Sequence, residues 1–270
     1  PHAAKRHFCL SRGLGDVYKR QVGPLCFVGS KVRLGKNVEL KSHVVIKGDT
    51  FLGDENTVFP FAVLGEIPQD KKFNGESTSL KIGNRNQIRE HVTINVGTKG
   101  GGGITKVGND GLFMAGCHIA HDAQVGDNVI LVNNASLAGH CIIEDNVIVG
   151  GLSGVHQFVR IGEGAIIGAV TMVTNDVIPY GLVQAPRGEL DGLNLVGLKR
   201  KGVPRADIMA LRAAFQTLSQ GDGTFQDRAQ KLTDDSESKY VEKIVSFVLG
   251  HSDRSFLTPC LLYTSPSPRD

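Results

Sequence analysis

Residues 119–149 read IAHDAQVGDNVILVNNASLAGHCIIEDNVIV, and every sixth of them is aliphatic: Ile119, Val125, Leu131, Leu137, Ile143 and Val149. The register extends outward without a slip. Val107 and Phe113 precede it, and Val155, Ile161, Ile167 and Val173 continue it, twelve positions in all. Upstream, Val22, Val28, Leu34, Leu40, Ile46, Leu52, Val58 and Leu64 keep the same spacing, as do Ile82, Ile88 and Ile94. Four residues after these aliphatics stand small or β-branched residues, among them Cys117, Ala123, Val129, Ala135, Cys141, Val147, Ser153, Val159 and Ala165.

A period of six fits neither a helix of 3.6 residues per turn nor a two-residue alternation. It fits a short strand followed by a turn, repeated around a coil whose axis is filled by stacked aliphatic side chains. The period by itself specifies a solenoid. Similarity to the left-handed hexapeptide-repeat proteins implies more: an all-β left-handed parallel β-helix, triangular in section, with three hexads per coil. The β-helix is expected over residues 22–178, with loops at 65–80 (GEIPQDKKFNGESTSL) and 99–106 (KGGGGITK). Polar insertions on a rigid solenoid tend to carry function.

Beyond residue 178 the repeat stops, and Pro179, Pro186, Gly188 and Gly192 mark a transition. Ile208, Leu211, Phe215 and Leu218 then recur at helical spacing after Pro204, and 239–249 reads as a second amphipathic helix. A small α-helical C-terminal domain is therefore expected over 179–259.

Composition agrees with such a chain. It holds 34 glycines and no tryptophan in 270 residues, which suits many tight turns. No apolar run approaches the roughly 18 residues of a membrane span. Residues 1–21 and 260–270 share no pattern with the rest and are set aside as non-native tails. The first carries Lys5, Arg6, Arg12, Lys19 and Arg20 against Asp16, a net of +4, and the second is neutral; the formal +3 of the whole chain leaves the body at 3 − 4 = −1. The apparent basicity is thus no signal for nucleic acid. Cys26, Cys117 and Cys141 have no paired spacing and read as reduced, buried residues of a cytoplasmic protein.

Against this apolar background His118, His121 and Asp122 fall within five residues. Ile119, Leu137 and Val155 are 18 apart, which places His121, His140 and His156 off the inward positions of three successive coils. His118 occupies the adjacent corner, and the repeat points all four histidines and Asp122 outward onto one ridge. At a strand spacing of roughly 4.8 Å the ridge spans about two coil steps. Any one surface histidine is ordinary; several converging on one face is an arrangement that sites use. Two chemistries compete: a zinc ion bound between subunits, as in trimers resembling the γ-class carbonic anhydrases, or general-base catalysis of acyl transfer. In the second, Asp122 would orient His121, and a glycine amide such as that of Gly139 would stabilise a thioester oxyanion. Position alone does not choose.

From about Val22 to Lys231, and more loosely to Leu257, the chain resembles the UDP-N-acetylglucosamine acyltransferases. The resemblance runs through LKSHVVIKG (40–48), IPQDKKFNGE (67–76), HIAHD (118–122), NNASLAGH (133–140), GVHQF (154–158) and NLVGLKRKG (194–202). It implies transfer of an (R)-3-hydroxyacyl chain from acyl carrier protein to the 3-position of UDP-N-acetylglucosamine, the first step of lipid A biosynthesis. It also implies a homotrimer with sites between subunits and neither metal nor separate cofactor, the acyl chain arriving on the phosphopantetheine of acyl carrier protein. His121 matches the catalytic base, Asp122 its orienting partner and Gly139 the oxyanion amide. His118, His140, His156 and Gln157 match substrate-contacting positions, as do Gln69, Asp70 and Lys72 in the first insertion. Asn194, Arg200 and Lys201 match nucleotide-binding positions, the last two also being compatible with a solvated helix end. Ile166 and Ala169 fall where the family measures acyl length; an alanine at 169 in place of glycine is expected to shorten the preferred chain.

The chain departs from the family pattern at Val196, where an acidic residue is usual, at Asn95-Val96 in place of His-Arg, and at Arg187 in place of histidine. The nearest alternative is the N-acyltransferase acting on UDP-3-O-acyl-glucosamine, which usually has an additional N-terminal domain and lacks the NL-GLKR helix.

Overall fold

The computed structural model describes residues 14–15, 19–185, 188–220, 222–233 and 238–258. The terminal tails thus fall almost wholly outside the described residues, and Arg187 also lies outside them. Within them the hexads form a left-handed parallel β-helix followed by an α-helical C-terminal region.

Each hexad contributes a strand of mostly two residues, such as His118–Ile119, Gln124–Val125 and Ile130–Leu131. Within a strand the second residue is buried and the first faces out, as the alternation of side chains along a strand requires. Strands of successive coils pair in parallel: Ile119 opposes Leu137, and Leu137 opposes Val155. Three sheets result, of eleven, seven and eight strands, and they are the three faces of the prism. Ile119, Leu131, Leu137 and Val149 are fully buried, as are the small residues Cys117, Ala123, Ala135 and Cys141 that turn inward at the corners. The six-residue period is therefore a core period, and stacking it removes one aliphatic side chain per hexad from water.

The corners are made by residues in the left-handed backbone region, arranged in columns. Asn37, Glu55, Arg85, Asp110, Asn128 and Asn146 form one; Leu25, His43, Phe61, His91, Asn134, Leu152 and Val170 form a second. Asp122, His140 and Phe158 form the third. The frequent Asn and Asp there are the non-glycine residues that tolerate this region best.

The first insertion leaves the β-helix after the strand Val63–Glu66 and rejoins it at Ser79–Ile82. The second is shorter than the repeat suggested. A 3-10 turn at Lys99–Gly101 is followed directly by the strand Ile104–Val107, so Ile104, Thr105 and Lys106 belong to the sheet and only the glycine-rich part is loop.

The prism does not end at 178 as sharply as the pattern implied. Gly181–Gln184 pairs in parallel with Ile166–Ile167 and then antiparallel with Glu189–Leu193, closing the eleven-stranded sheet with a hairpin. Its Gly and Pro content reads as a loop in sequence.

Among the described residues four helices follow: α1 (Leu195–Arg200), α2 (Arg205–Ser219), α3 (Phe225–Lys231) and α4 (Lys239–Leu249). The third was not expected; it is only two turns long, held by a capping box of Thr224 and Asp227. On α2 the buried residues are Ile208, Leu211, Ala214 and Leu218. Phe215, expected inside, is only partly buried at the margin of this face, where Ala214 takes the fully inward position.

The helical region is bolted to the last coils. Asp176, fully buried, accepts from the Arg160 amide (2.8 Å), from Arg160 Nε (2.7 Å) and from the Ser252 hydroxyl (2.5 Å). The Arg160 guanidinium lies over Phe247 of α4 at 4.4 Å, and Lys243 of α4 pairs with Glu163 of the β-helix. Among the described residues no helix is long and apolar enough to cross a membrane.

Candidate active site

The third corner column brings the conspicuous residues together. Asp122 and His140 each occupy its left-handed position in successive coils, so a hexad that ends in one stacks on a hexad that ends in the other. His121, immediately before Asp122, turns back over this corner: its Nδ1 lies 2.8 Å from Asp122 Oδ2. With a carboxylate as acceptor, Nδ1 carries the proton, which leaves Nε2 with a free lone pair facing the cleft.

Asp122 is not outward-pointing as the repeat arithmetic suggested. Its side chain is fully buried. The left-handed backbone swings the carboxylate beneath the glycine loop, where the Thr98 amide lies 2.9 and 3.1 Å from its two oxygens and the Thr98 hydroxyl 2.6 Å from Oδ2. The hydroxyl of Thr105 accepts from the Asp122 amide at 2.8 Å. Buried carboxylates require such saturation.

Gly139 lies against the imidazole. A Cβ there would approach Cε1 and Nε2 of His121 to 2.6 and 2.8 Å. Its N–H makes no hydrogen bond among the described residues, while its carbonyl accepts from Phe158. An unspent amide beside a ring nitrogen is what oxyanion stabilisation needs.

Gln69, Asn95, His118, Ala120, His121, Ser136, Leu137, Ala138, Gly139, Gly154 and Val155 line a cleft of ≈ 340 Å³. Asp70, Lys72, Phe73, Glu76, Thr98, Lys99, His140 and Phe158 line a larger one of ≈ 930 Å³. His121 lines the first and His140 the second, and the first insertion supplies Gln69 to one and Asp70 and Lys72 to the other.

His118 Nδ1 is 2.7 Å from the Thr93 hydroxyl. Burial, reinforced by the neighbouring His121, lowers its pKa below the ordinary imidazole value. His140 stacks on Phe158 (4.4 Å between centroids, 6°) and meets His121 edge-on at 5.1 Å. Its pKa is also lowered, burial outweighing the opposing pull of Asp122. Both histidines are therefore held as neutral hydrogen-bonding groups near neutral pH. Phe158, as an aromatic partner for this cluster, escaped the sequence reading: it stands 18 residues after His140 in an otherwise aliphatic coil, and that spacing was the available signal.

Not every expected residue joins them. His156 is exposed and engages Arg254 of the C-terminal segment, its Nδ1 2.8 Å from the guanidinium, while Arg254 Nε donates to the Gln157 carbonyl at 3.2 Å. Asn194 spends its side chain capping α1, accepting from Gly197 and donating to the Gly164 carbonyl. Arg200 and Lys201 lie at the end of α1, where burial lowers the pKa of Lys201 despite Glu163 and Asp145. Ile166 and Ala169 belong to the eleven-stranded face and the corner beyond it, whereas His118 stands on the eight-stranded face. Of the departures, Val196 is exposed on α1, and Asn95 donates to the Ile67 carbonyl at the root of the first insertion.

His121, Asp122 and His140 have potential ligand atoms all within 4.8 Å of one another. The three-histidine set of the zinc reading is not what assembles. One of the three is a carboxylate already saturated by Thr98 and His121, and metal ligation there would break those bonds.

Comparison with known proteins gives the chain's relatives. Residues 176–257 match the family model described as UDP N-acetylglucosamine O-acyltransferase, domain 2. The acyl-[acyl-carrier-protein]–UDP-N-acetylglucosamine O-acyltransferase of Paracoccus denitrificans is 66% identical over 202 residues, 75% of this chain and 77% of that protein. The like-named protein of Agrobacterium fabrum is 43% identical over 237 residues, 87% of this chain and 88% of that protein. Among solved structures, LpxA from Acinetobacter baumannii superposes with a TM-score of 0.85 at 37% identity, covering 88% of this chain and 93% of that one. UDP-N-acetylglucosamine acyltransferase from Campylobacter jejuni gives 0.84 at 38%, covering 89% and 93%. The chain belongs to the acyl-[acyl-carrier-protein]–UDP-N-acetylglucosamine O-acyltransferase family.

Proposed function

We propose that this acyltransferase moves an (R)-3-hydroxyacyl group from the phosphopantetheine thioester of acyl carrier protein to the 3-hydroxyl of UDP-N-acetylglucosamine, in the cytoplasm, as the first step of lipid A biosynthesis. The observation that carries the reading is the bond between the buried Asp122 carboxylate and the His121 imidazole, beside the unspent Gly139 amide. In this reading the sugar hydroxyl attacks the thioester carbonyl while His121 Nε2 takes its proton. Asp122 fixes the tautomer and stabilises the imidazolium that forms. The oxyanion accepts from the Gly139 N–H, and collapse expels the phosphopantetheine thiolate, which recovers the proton from His121. Charge is balanced throughout by the chain's own groups, and neither metal nor further cofactor is called for.

Gln69 and His118 would contact the acceptor from one cleft and Asp70, Lys72 and His140 from the other. The remaining residues, His156, Gln157, Asn194, Arg200, Lys201, Ile166 and Ala169, fit a site completed by a second chain, with the nucleotide and the acyl end held across the boundary. A homotrimer is supported by apolar residues left exposed at adjacent positions of one corner and the face beside it: Leu152 (66%), Val170 (60%) and Met172 (61%). Contiguous apolar surface of this kind marks association. Buried cysteines such as Cys117 and Cys141 suit a reducing compartment.

The test is His121→Ala assayed with hydroxyacyl carrier protein and UDP-N-acetylglucosamine. Loss of the base should lower kcat by about 10²–10⁴-fold with the assembly intact. Near-normal turnover would overturn the assignment.

A further inference from the structure

The catalytic pair rests on a residue outside any motif considered so far. Thr98 precedes the 3-10 turn Lys99–Gly101 and occupies its N-cap, yet its side chain makes no capping bond. A threonine there ordinarily spends its oxygen on the first free N–H groups of the turn. Here the hydroxyl instead donates to Asp122 Oδ2 at 2.6 Å, and the Thr98 amide spans both carboxylate oxygens at 2.9 and 3.1 Å. Thr98 is itself buried.

The loop is shaped to allow this. A Cβ on Gly101 would fall 2.1 Å from Asp122 Cγ, and one on Gly97 would fall 2.7 Å from Oδ1. Two glycines thus let backbone close directly onto the carboxylate, sealing it from water. The opposite lip of the loop lines the larger cleft through Thr98, Lys99 and Gly100.

We propose that Thr98 is a positioning residue for the transfer reaction, acting through Asp122 on the base. It fixes the carboxylate so that Oδ2 meets His121 Nδ1, and it takes a share of the charge on that oxygen. Asp122 Oδ2 accepts from both the Thr98 hydroxyl and His121, so the threonine tunes how strongly the carboxylate favours the imidazolium. The other titratable groups facing the pair are His118, His140, whose Nε2 lies 4.0 Å from Oδ2, and Asp70 acting on His140. None of these supplies a donor that would replace the hydroxyl. The proposal rests on His121 being the base.

Thr98→Val and Thr98→Ser, with His121→Ala in parallel, test both levels. A hydrogen bond to a charged group is worth about 10- to 100-fold in rate when lost. Thr98→Val should therefore lower kcat by about 10–100-fold with KM for the sugar nucleotide little changed. Its kcat/KM–pH profile should move its acidic limb to higher pH, because Oδ2 no longer shares its charge. Thr98→Ser should recover most of the rate and the wild-type profile. If Thr98→Val does not fold, Thr98→Ala removes the same hydroxyl and is read instead. Wild-type kcat and profile in the hydroxyl-less variant would overturn the proposal, as would equal impairment in the serine variant or a loss confined to KM. If His121→Ala stays active, the base assignment fails and this proposal with it; if only Thr98→Val stays active, the base stands and the positioning role falls.

Discussion

Replacing Gly139 by alanine adds a single methyl group directly against the imidazole of His121. The new Cβ would lie 2.6 Å from His121 Cε1, 2.8 Å from Nε2 and 3.2 Å from Nδ1. Ordinary carbon contacts fall near about 3.5–4.0 Å. The imidazole must therefore retreat by roughly 1 Å, and it is a side chain, so it can. Its 2.8 Å bond to Asp122 Oδ2 would then stretch beyond the hydrogen-bonding range. Gly139 has no positive φ, so the backbone itself carries no penalty for the substitution. The expectation is a folded protein with a displaced base: a displacement of about 1 Å costs about 10²-fold in rate. The control is Gly192→Ala, where a Cβ meets nothing within 4 Å. Initial rates by mass spectrometry and melting curves by circular dichroism, on both variants, decide it. A Gly139→Ala enzyme within threefold of the wild-type rate, with its melting temperature also unchanged, would refute the packing of Gly139 against His121.

Other expectations follow from separate parts of the molecule. Asp176→Ala should destabilise the junction of β-helix and helices by about 2–4 kcal/mol, because the mostly buried Arg160 guanidinium loses its carboxylate; a melting temperature within 1–2 °C of wild type would contradict this. The folded-state pKa values of His118 and His140 lie below the ordinary imidazole value, so the unfolded chain binds more protons below about pH 6.5. Stability should therefore be full above that pH and fall as pH drops, and His118→Gln should flatten the slope in thermal melts between pH 5 and 7. Burial pushes the thiol of Cys117 up to about 11 and that of Cys141 up to about 12. Neither should react with an aromatic disulfide reagent at pH 8 until the protein is unfolded. Leu152→Glu, a charge on the apolar corner, should shift the mass measured by light scattering from trimer toward monomer and lower activity in proportion. Against a ladder of hydroxyacyl carrier proteins, Ala169→Gly should move the preference to longer chains, and an unchanged preference would remove Ala169 from the ruler.

The prism was legible because its physics is one-dimensional. Each coil meets only its neighbours, so a core position such as Ile119, Leu137 or Val155 recurs at a fixed interval and can be located without coordinates. The same arithmetic brought His121 and His140 together across coils. It failed for Asp122, because a residue in the left-handed region redirects its side chain, and here a loop 24 residues upstream closes over it. It also missed Thr98, whose role depends on backbone packing by Gly97 and Gly101 that no spacing rule encodes. The hairpin at Gly181–Leu193 went unread since tertiary pairing, more than local pattern, holds it, and helix α3 because seven residues are too few to display a helical period. His156 and Arg254 lie 98 residues apart, beyond the reach of any periodic argument.

Acyl transfer to a sugar hydroxyl is proposed to depend on the His121 imidazole held by the buried Asp122 carboxylate. The most direct measurement is the rate and bond type of product formed by wild type and His121→Ala from (R)-3-hydroxyacyl carrier protein, offered UDP-N-acetylglucosamine and its 3-amino counterpart, with product mass and alkaline lability read by mass spectrometry. The wild type is expected to form the alkali-labile 3-O-ester on UDP-N-acetylglucosamine, and His121→Ala to form it about 10²–10⁴-fold more slowly. Undiminished ester formation without His121, or wild-type transfer to the amine alone, would contradict the account.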